Sequence, residues 1–235
     1  MKLSSSQKIL CIFLCVFQLI VYFSCTDSTP EIARVFYSMV YDFTDESLPP
    51  RVRMSVFIET LSDSRRIKEI ALYQKDADYL WTIQNPLVIK DTEKMYFGHH
   101  DIVFPPNTEI PEGRYEARYY DLAMREASAF FMLEKIPSLR DVKISSLTAS
   151  RFRSKQFASE CSVEQITLYD ILANVLYTGK RTLEIDTDEK ILSLYPSAVS
   201  YRLFYKNQDN STVIILPEVQ LSGLQDAALE EEYDE

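Results

Sequence analysis

Between residues 33 and 133 of this 235-residue chain, apolar side chains recur mostly at every second position. In RVRMSVFIETL (51–61), Val52, Met54, Val56 and Ile58 share one face of an extended strand. Arg53, Ser55 and Glu59 share the other, and Phe57 is an apolar break in that polar row. A period of two marks a half-buried strand, because successive side chains leave opposite faces. The same period runs through ARVFYSMVYDF (33–43), IKEIALYQ (67–74), YLWTIQ (79–84), GRYEARYYD (113–121) and EASAFFML (126–133). Tyr115, Ala117 and Tyr119 make one apolar row, and Ala127, Ala129, Phe131 and Leu133 make another. KDAD (75–78) has hairpin length, and Pro49-Pro50, Pro86, Pro105-Pro106 and Pro111 fall between the runs, where a missing N–H interrupts no ladder. Closely spaced short strands with regular turn signals predict a β-sandwich over 32–136.

Past Pro137 and the serine-rich ISSLTAS the period changes. Leu168, Ile171, Leu172, Val175 and Leu176 recur at helical spacing, Ser162 stands as an N-cap with Gln165 three residues on, and Gly179 follows as a C′ residue. The spacing predicts an amphipathic helix over 163–178 whose apolar stripe packs on a core. TLEID, KILSLYP, SYRLFYK and TVIILPE then read as strands, the last two joined by the turn NQDNS. Residues 137–217 are thus expected to form a small α+β unit with one helix and antiparallel strands. The last stretch, 218–235, ends in LEEEYDE and reads as an acidic, disordered, solvated tail.

The stretch PEGRYEARYY (111–120) resembles the start of strand F in immunoglobulin-like and fibronectin type III-like domains, Gly113 being the turn glycine and Tyr115 the tyrosine. The resemblance implies that the Tyr115 hydroxyl ties back to upstream backbone. It also implies a core aromatic, for which Trp81 is the candidate. The cysteine pair of antibody-type domains is absent.

The chain opens with Lys2 and Lys8, followed by a nearly uninterrupted apolar run from Ile9 to Phe23. As a helix this run reaches only about 22 Å, short of the roughly 30 Å hydrocarbon core. A positive start, a short apolar run and small Ser24 before Cys25 form the pattern of a cleaved signal peptide over 1–24. A cut just before a cysteine resembles the bacterial lipoproteins, and the aromatic pair Tyr22-Phe23 resembles the relaxed boxes of spirochaete members. The resemblance implies that Cys25 becomes the N-terminus, carries acyl chains such as palmitate, and fastens the chain to a membrane of the cell envelope, periplasmic or surface-exposed. Two chains make such anchoring stable, at about 0.8 kcal/mol per buried CH₂. Residues 25–31 would then be a tether. A plain cleaved signal, giving a soluble secreted effector, and an uncleaved short anchor are the other readings.

Composition narrows the field of partners. The whole chain carries a net charge of −10, and the signal segment takes away basic residues only. A surface this acidic repels polyanions, so nucleic acid is excluded as a nonspecific partner. The basic run RFRSKQF (151–157) reads as a solvated face. Cys11 and Cys15 leave with the signal, and an acylated Cys25 leaves Cys161 without a disulfide partner. An unmodified Cys25 could instead bridge to it, and a buried inert thiol is the simplest role for Cys161. The four glycines do not form a phosphate-binding loop.

Candidate catalytic groups are sparse. His99-His100-Asp101 is the one histidine cluster, and adjacent strand residues point to opposite faces, so no metal site and no cofactor is expected. No G-x-S-x-G occurs. The residues therefore favour a non-catalytic, lipid-anchored envelope protein that presents its sandwich to an envelope protein or ligand, with Phe57, Tyr120 and Phe130 as candidate contacts. A hydrolase of envelope polymers using paired carboxylates is the alternative.

Overall fold

In a computed structural model, the structure describes residues 29–61, 67–92, 94–104, 110–134, 161 and 163–221. The strands are β1 (Ile32–Asp42), β2 (Arg51–Thr60), β3 (Ile67–Gln74), β4 (Tyr79–Gln84), β5 (Leu87–Asp91), β6 (Lys94–Ile102), β7 (Gly113–Asp121), β8 (Glu126–Leu133), β9 (Val163–Tyr169), β10 (Val175–Lys180), β11 (Ser200–Lys206), β12 (Thr212–Ile215) and β13 (Val219–Gln220). One helix, α1 (Asp188–Leu194), lies between β10 and β11.

Among the described residues the fold is mainly β, a sandwich with one small helix. A large mixed sheet has the order β10-β9-β11-β12-β1-β2-β6-β5, with β13 paired to β11. A smaller antiparallel sheet has the order β4-β3-β7-β8. The single parallel contact sets Met39–Asp42 of β1 beside Thr212–Ile215 of β12, so the first and twelfth strands are neighbours. The expected boundary at residues 136–137 lies outside the described residues, and the large sheet runs continuously between strands from both sides of it.

Alternation decides what each face buries. Met54, Val56 and Ile58 of β2 and Tyr115, Ala117 and Tyr119 of β7 point inward, as their period of two requires. They meet between the sheets with Met39, Tyr41, Leu72, Phe97 and Phe131 in the main core. The inner face of the large sheet is covered twice. Tyr205 and Ile214, opposite each other on β11 and β12, pack into the main core. Leu203 and Tyr201, two and four residues earlier on the same face of β11, pack instead with Ile166, Leu168, Ile185, Ile191 and Ala198. The second sheet thus covers one half of this face, and α1 with its flanking turns covers the other.

Two expected elements are exchanged. Residues 163–178 are not a helix but the hairpin β9–β10. Ile166 and Leu168 are buried, whereas Ile171 and Leu172 stand on the hairpin tip at 84% and 78% exposure, so the supposed apolar stripe is split between core and solvent. Asp170 fixes the turn by accepting the N–H groups of Leu172 and Asn174, a local bond that competes with helix. The proposed cap Ser162 lies outside the described residues. KILSLYP, read as a strand, supplies α1 instead. Thr187 is its N-cap, Asp188 and Glu189 sit in its first turn, and Ile191 is its buried residue. Cys25, the tether before Thr29, the run 151–157 and the acidic tail beyond Leu221 lie outside the described residues.

Candidate interaction surfaces

The sandwich has two outward faces, and the candidate contacts are divided between them. Tyr120 and Phe130 lie on the outer face of the small sheet, and Phe57 lies on the outer face of the large one. Trp81 points inward and packs on Phe104 (4.1 Å between ring centroids) and Tyr79 (5.0 Å), half-buried beside the core. Gly113 has φ +109°, and the Tyr115 hydroxyl donates to the carbonyl of Pro111 at 2.7 Å. Burial pushes the Tyr115 phenol up, well above the ordinary tyrosine range.

On the outer face of the large sheet, register places Leu87, Gly98, Phe57 and Phe36 in one row across β5, β6, β2 and β1. The next row is Ile89, Tyr96, Glu59 and Arg34. Gly98 has no side chain because β6 crowds β2 there: a Cβ would lie 1.9 Å from the Val56 carbonyl oxygen. The rings of Phe36 and Tyr96 meet edge to face at 5.5 Å, and the Arg34 guanidinium lies 5.6 Å from the Phe36 centroid. Glu59, nearly buried, closes the row through Lys94 at 2.8 Å, which raises the Lys94 ammonium pKa. The result is a contiguous aromatic and aliphatic patch, with Arg34, Glu59 and Lys94 at its border, running to β5, the last strand of the sheet among the described residues.

The outer face of the small sheet is more polar. Arg114 stacks on Phe130 with 3.8 Å to the ring centroid, and Arg118 lies 5.3 Å from the Tyr73 centroid. Arg118 also pairs with Glu116 at 2.7 Å and bonds Tyr120, which together raise its pKa, and its guanidinium in turn holds the Glu116 carboxyl low. The aromatic groups here are separated by these charges, so they form pairs rather than a patch.

Other polar groups tie elements of the fold together. Asp42 accepts from Arg202 at 2.7 Å and faces Arg53 at 3.6 Å, tying β1, β2 and β11 together. An open cavity of about 900 Å³ beside β10 is lined by Glu164, Lys180, Arg181, Leu183, Glu184 and Asp186. Two of its carboxylates are paired: Glu164 binds Arg181 at 3.0 Å and accepts from Tyr205 at 3.2 Å, and Asp186 binds Lys190 at 2.7 Å.

The histidine pair departs from expectation. Met54 pairs with Ile102 and Val56 with His99, so β6 carries one extra residue there, a β-bulge. The bulge brings His99 and His100 to one side, with rings 5.3 Å apart and 12° from parallel. Stacked, near-parallel rings hold their in-plane lone pairs in separate parallel planes, which do not meet at one ion. His99 Nδ1 accepts the Asp101 N–H at 3.1 Å, and Asp101 pairs with Arg51 at 2.9 Å. Among the described residues no group of three metal-ligating side chains converges. No family model, no curated protein and no solved structure matches this chain.

Proposed function

We propose that this chain is a lipid-anchored protein of a bacterial cell envelope, non-catalytic, whose sandwich is a platform for binding another protein. Cys25 at the signal junction supports the anchor. The observation that carries the binding role is the patch of Phe36, Phe57, Tyr96, Leu87 and Ile89 on the outer face of the large sheet. Contiguous apolar surface rimmed by charge is what a partner covers, at about 25 cal/mol per Å².

Six described carboxylates are unsuited to the acid role that hydrolysis requires. A general acid needs a carboxyl held high. Asp45, Glu116, Asp121, Asp170, Asp186 and Glu189 are all held low, each by N–H, hydroxyl or cationic donors.

Two measurements on protein made in its own host test the proposal. Intact mass from isolated membranes should show a chain beginning at Cys25 with acyl chains added, and Cys25→Ala should move the protein to the soluble fraction. An unmodified mass beginning near Thr26, or one retaining Met1, overturns the anchor. A photoreactive side chain at Phe36 should give a discrete protein adduct in intact cells that the same group at Lys190, on exposed α1, does not give. No adduct specific to Phe36 overturns the docking role.

A further inference from the structure

β5 overhangs the sandwich. All five of its residues are exposed, on both faces of the strand. The other terminal strands of the two described sheets, β4, β8 and β10, each turn half-buried or buried side chains toward the molecule, and only the two-residue β13, paired to β11, is as exposed. Leu87 and Ile89 stand on the outer face at 41% and 48% exposure, and Val88 stands on the inner face at 54%. Among the described strands β6 is the only neighbour of β5. A partner lying flat on the outer face would cover Leu87 and Ile89 and leave Val88 in water. A strand laid along the free edge covers both faces together and pairs the outward N–H and C=O groups.

We infer that β5 is an acceptor edge, which takes up an extended segment of another protein as an added strand of the large sheet. The inference rests on the docking role proposed for the adjoining patch and gives it a mode. The charges of β5 specify the segment. Asp91 follows Leu87 and Ile89 on the outer face, and Lys90 follows Val88 on the inner one. An antiparallel segment therefore reads, from its N-terminus, basic, acidic and three apolar residues, opposite Asp91, Lys90, Ile89, Val88 and Leu87 in turn. A second copy fits poorly. Pairing β5 with itself about Ile89 sets Leu87 against Asp91 and Val88 against Lys90. Sliding it to match Lys90 with Asp91 carries Ile89 to the second copy's Thr92, in its turn.

The test uses the mature chain and two short fluorescein-labelled peptides, one containing Lys-Glu-Val-Ile-Val and one with its first two residues exchanged. By anisotropy the first should bind roughly tenfold tighter, since two cross-strand charge pairs change sign. A double variant, Lys90→Glu with Asp91→Lys, should reverse the preference, which a misfolded protein would not do. Equal binding of both peptides, or a preference that the double variant leaves unchanged, overturns the inference. If neither peptide binds while the Phe36 adduct persists, strand addition falls and the docking role stands. If that adduct is also missing, both fall. Dimers seen by sedimentation and abolished by Ile89→Asp would identify a second copy as the occupant and overturn the inference too.

Discussion

Tyr115 is buried, yet its hydroxyl has a partner, the Pro111 carbonyl four residues upstream. Removing the hydroxyl and leaving the ring isolates the value of that bond. Tyr115→Phe should lose about 1 kcal/mol, seen as a lower urea midpoint with an unchanged slope; an equal or higher midpoint would show the bond to be replaceable by water. Gly98 tests a different physics. A Cβ there meets the Val56 carbonyl oxygen and the Phe57 Cα, both backbone, so neither neighbour can turn aside. Gly98→Ala should therefore push β6 from β2 and cost more than about 2 kcal/mol in the same experiment. The two residues differ in how far they can be read from the chain. Gly113, Tyr115 and Pro111 lie within five positions, and their spacing is local. Gly98 owes its identity to β2, some forty residues away, and the turn between β5 and β6 lacks glycine, so neither strand stands out in the sequence.

The two hairpins β7–β8 and β9–β10 share a turn that explains why the second reads as a helix. YDLAMR (120–125) and YDILAN (169–174) place Asp121 and Asp170 at the same point. Each carboxylate accepts N–H groups two and four residues on, and each also binds the side chain of the latter, Arg125 or Asn174. Each turn then passes through a left-handed residue, Met124 or Ala173, at φ 60°. Spacing registers Ile171 and Leu172 as helical knobs because it counts apolar residues and is blind to the carboxylate that bends the chain between them. One substitution separates the two structures by sign. In a helix Ala173→Gly would cost about 1 kcal/mol. In this turn it relieves a left-handed alanine and should raise stability by about 1 kcal/mol, read as a higher melting temperature. A lower one would contradict the hairpin.

At the scale of the whole molecule, strands from both ends of the chain share one sheet, and Asp42 with Arg202 joins them across 160 positions. No periodicity reports such a pair, which is why the sequence reads as two consecutive units while the sheet is continuous. The same distribution of polar groups sets a pH window. At Asp121 burial opposes ionisation, but the Arg125 and Ala123 N–H groups and the Arg125 guanidinium outweigh it, and at Asp170 Asn174 and Leu172 donors act alone in favour. A carboxyl held low in the fold contributes stability that is present above its unfolded pKa and is lost as pH falls through the folded one. At the other end, burial raises the phenols of Tyr37, Tyr115, Tyr169 and Tyr201. A phenol held high contributes stability that is present below about pH 10 and lost as pH rises. The net charge of −10 acts oppositely on the acid side, because early protonation relieves self-repulsion. That relief is spread over many exposed groups, whereas the turn carboxylates are individually coordinated, so the second effect should win below about pH 4. Urea midpoints should therefore form a plateau from about pH 5 to about pH 9 and fall on both sides. Asp121→Asn with Asp170→Asn should lower the plateau and flatten its acid limb while leaving the alkaline limb in place; an acid limb that keeps its full slope would mean that the turns do not set it.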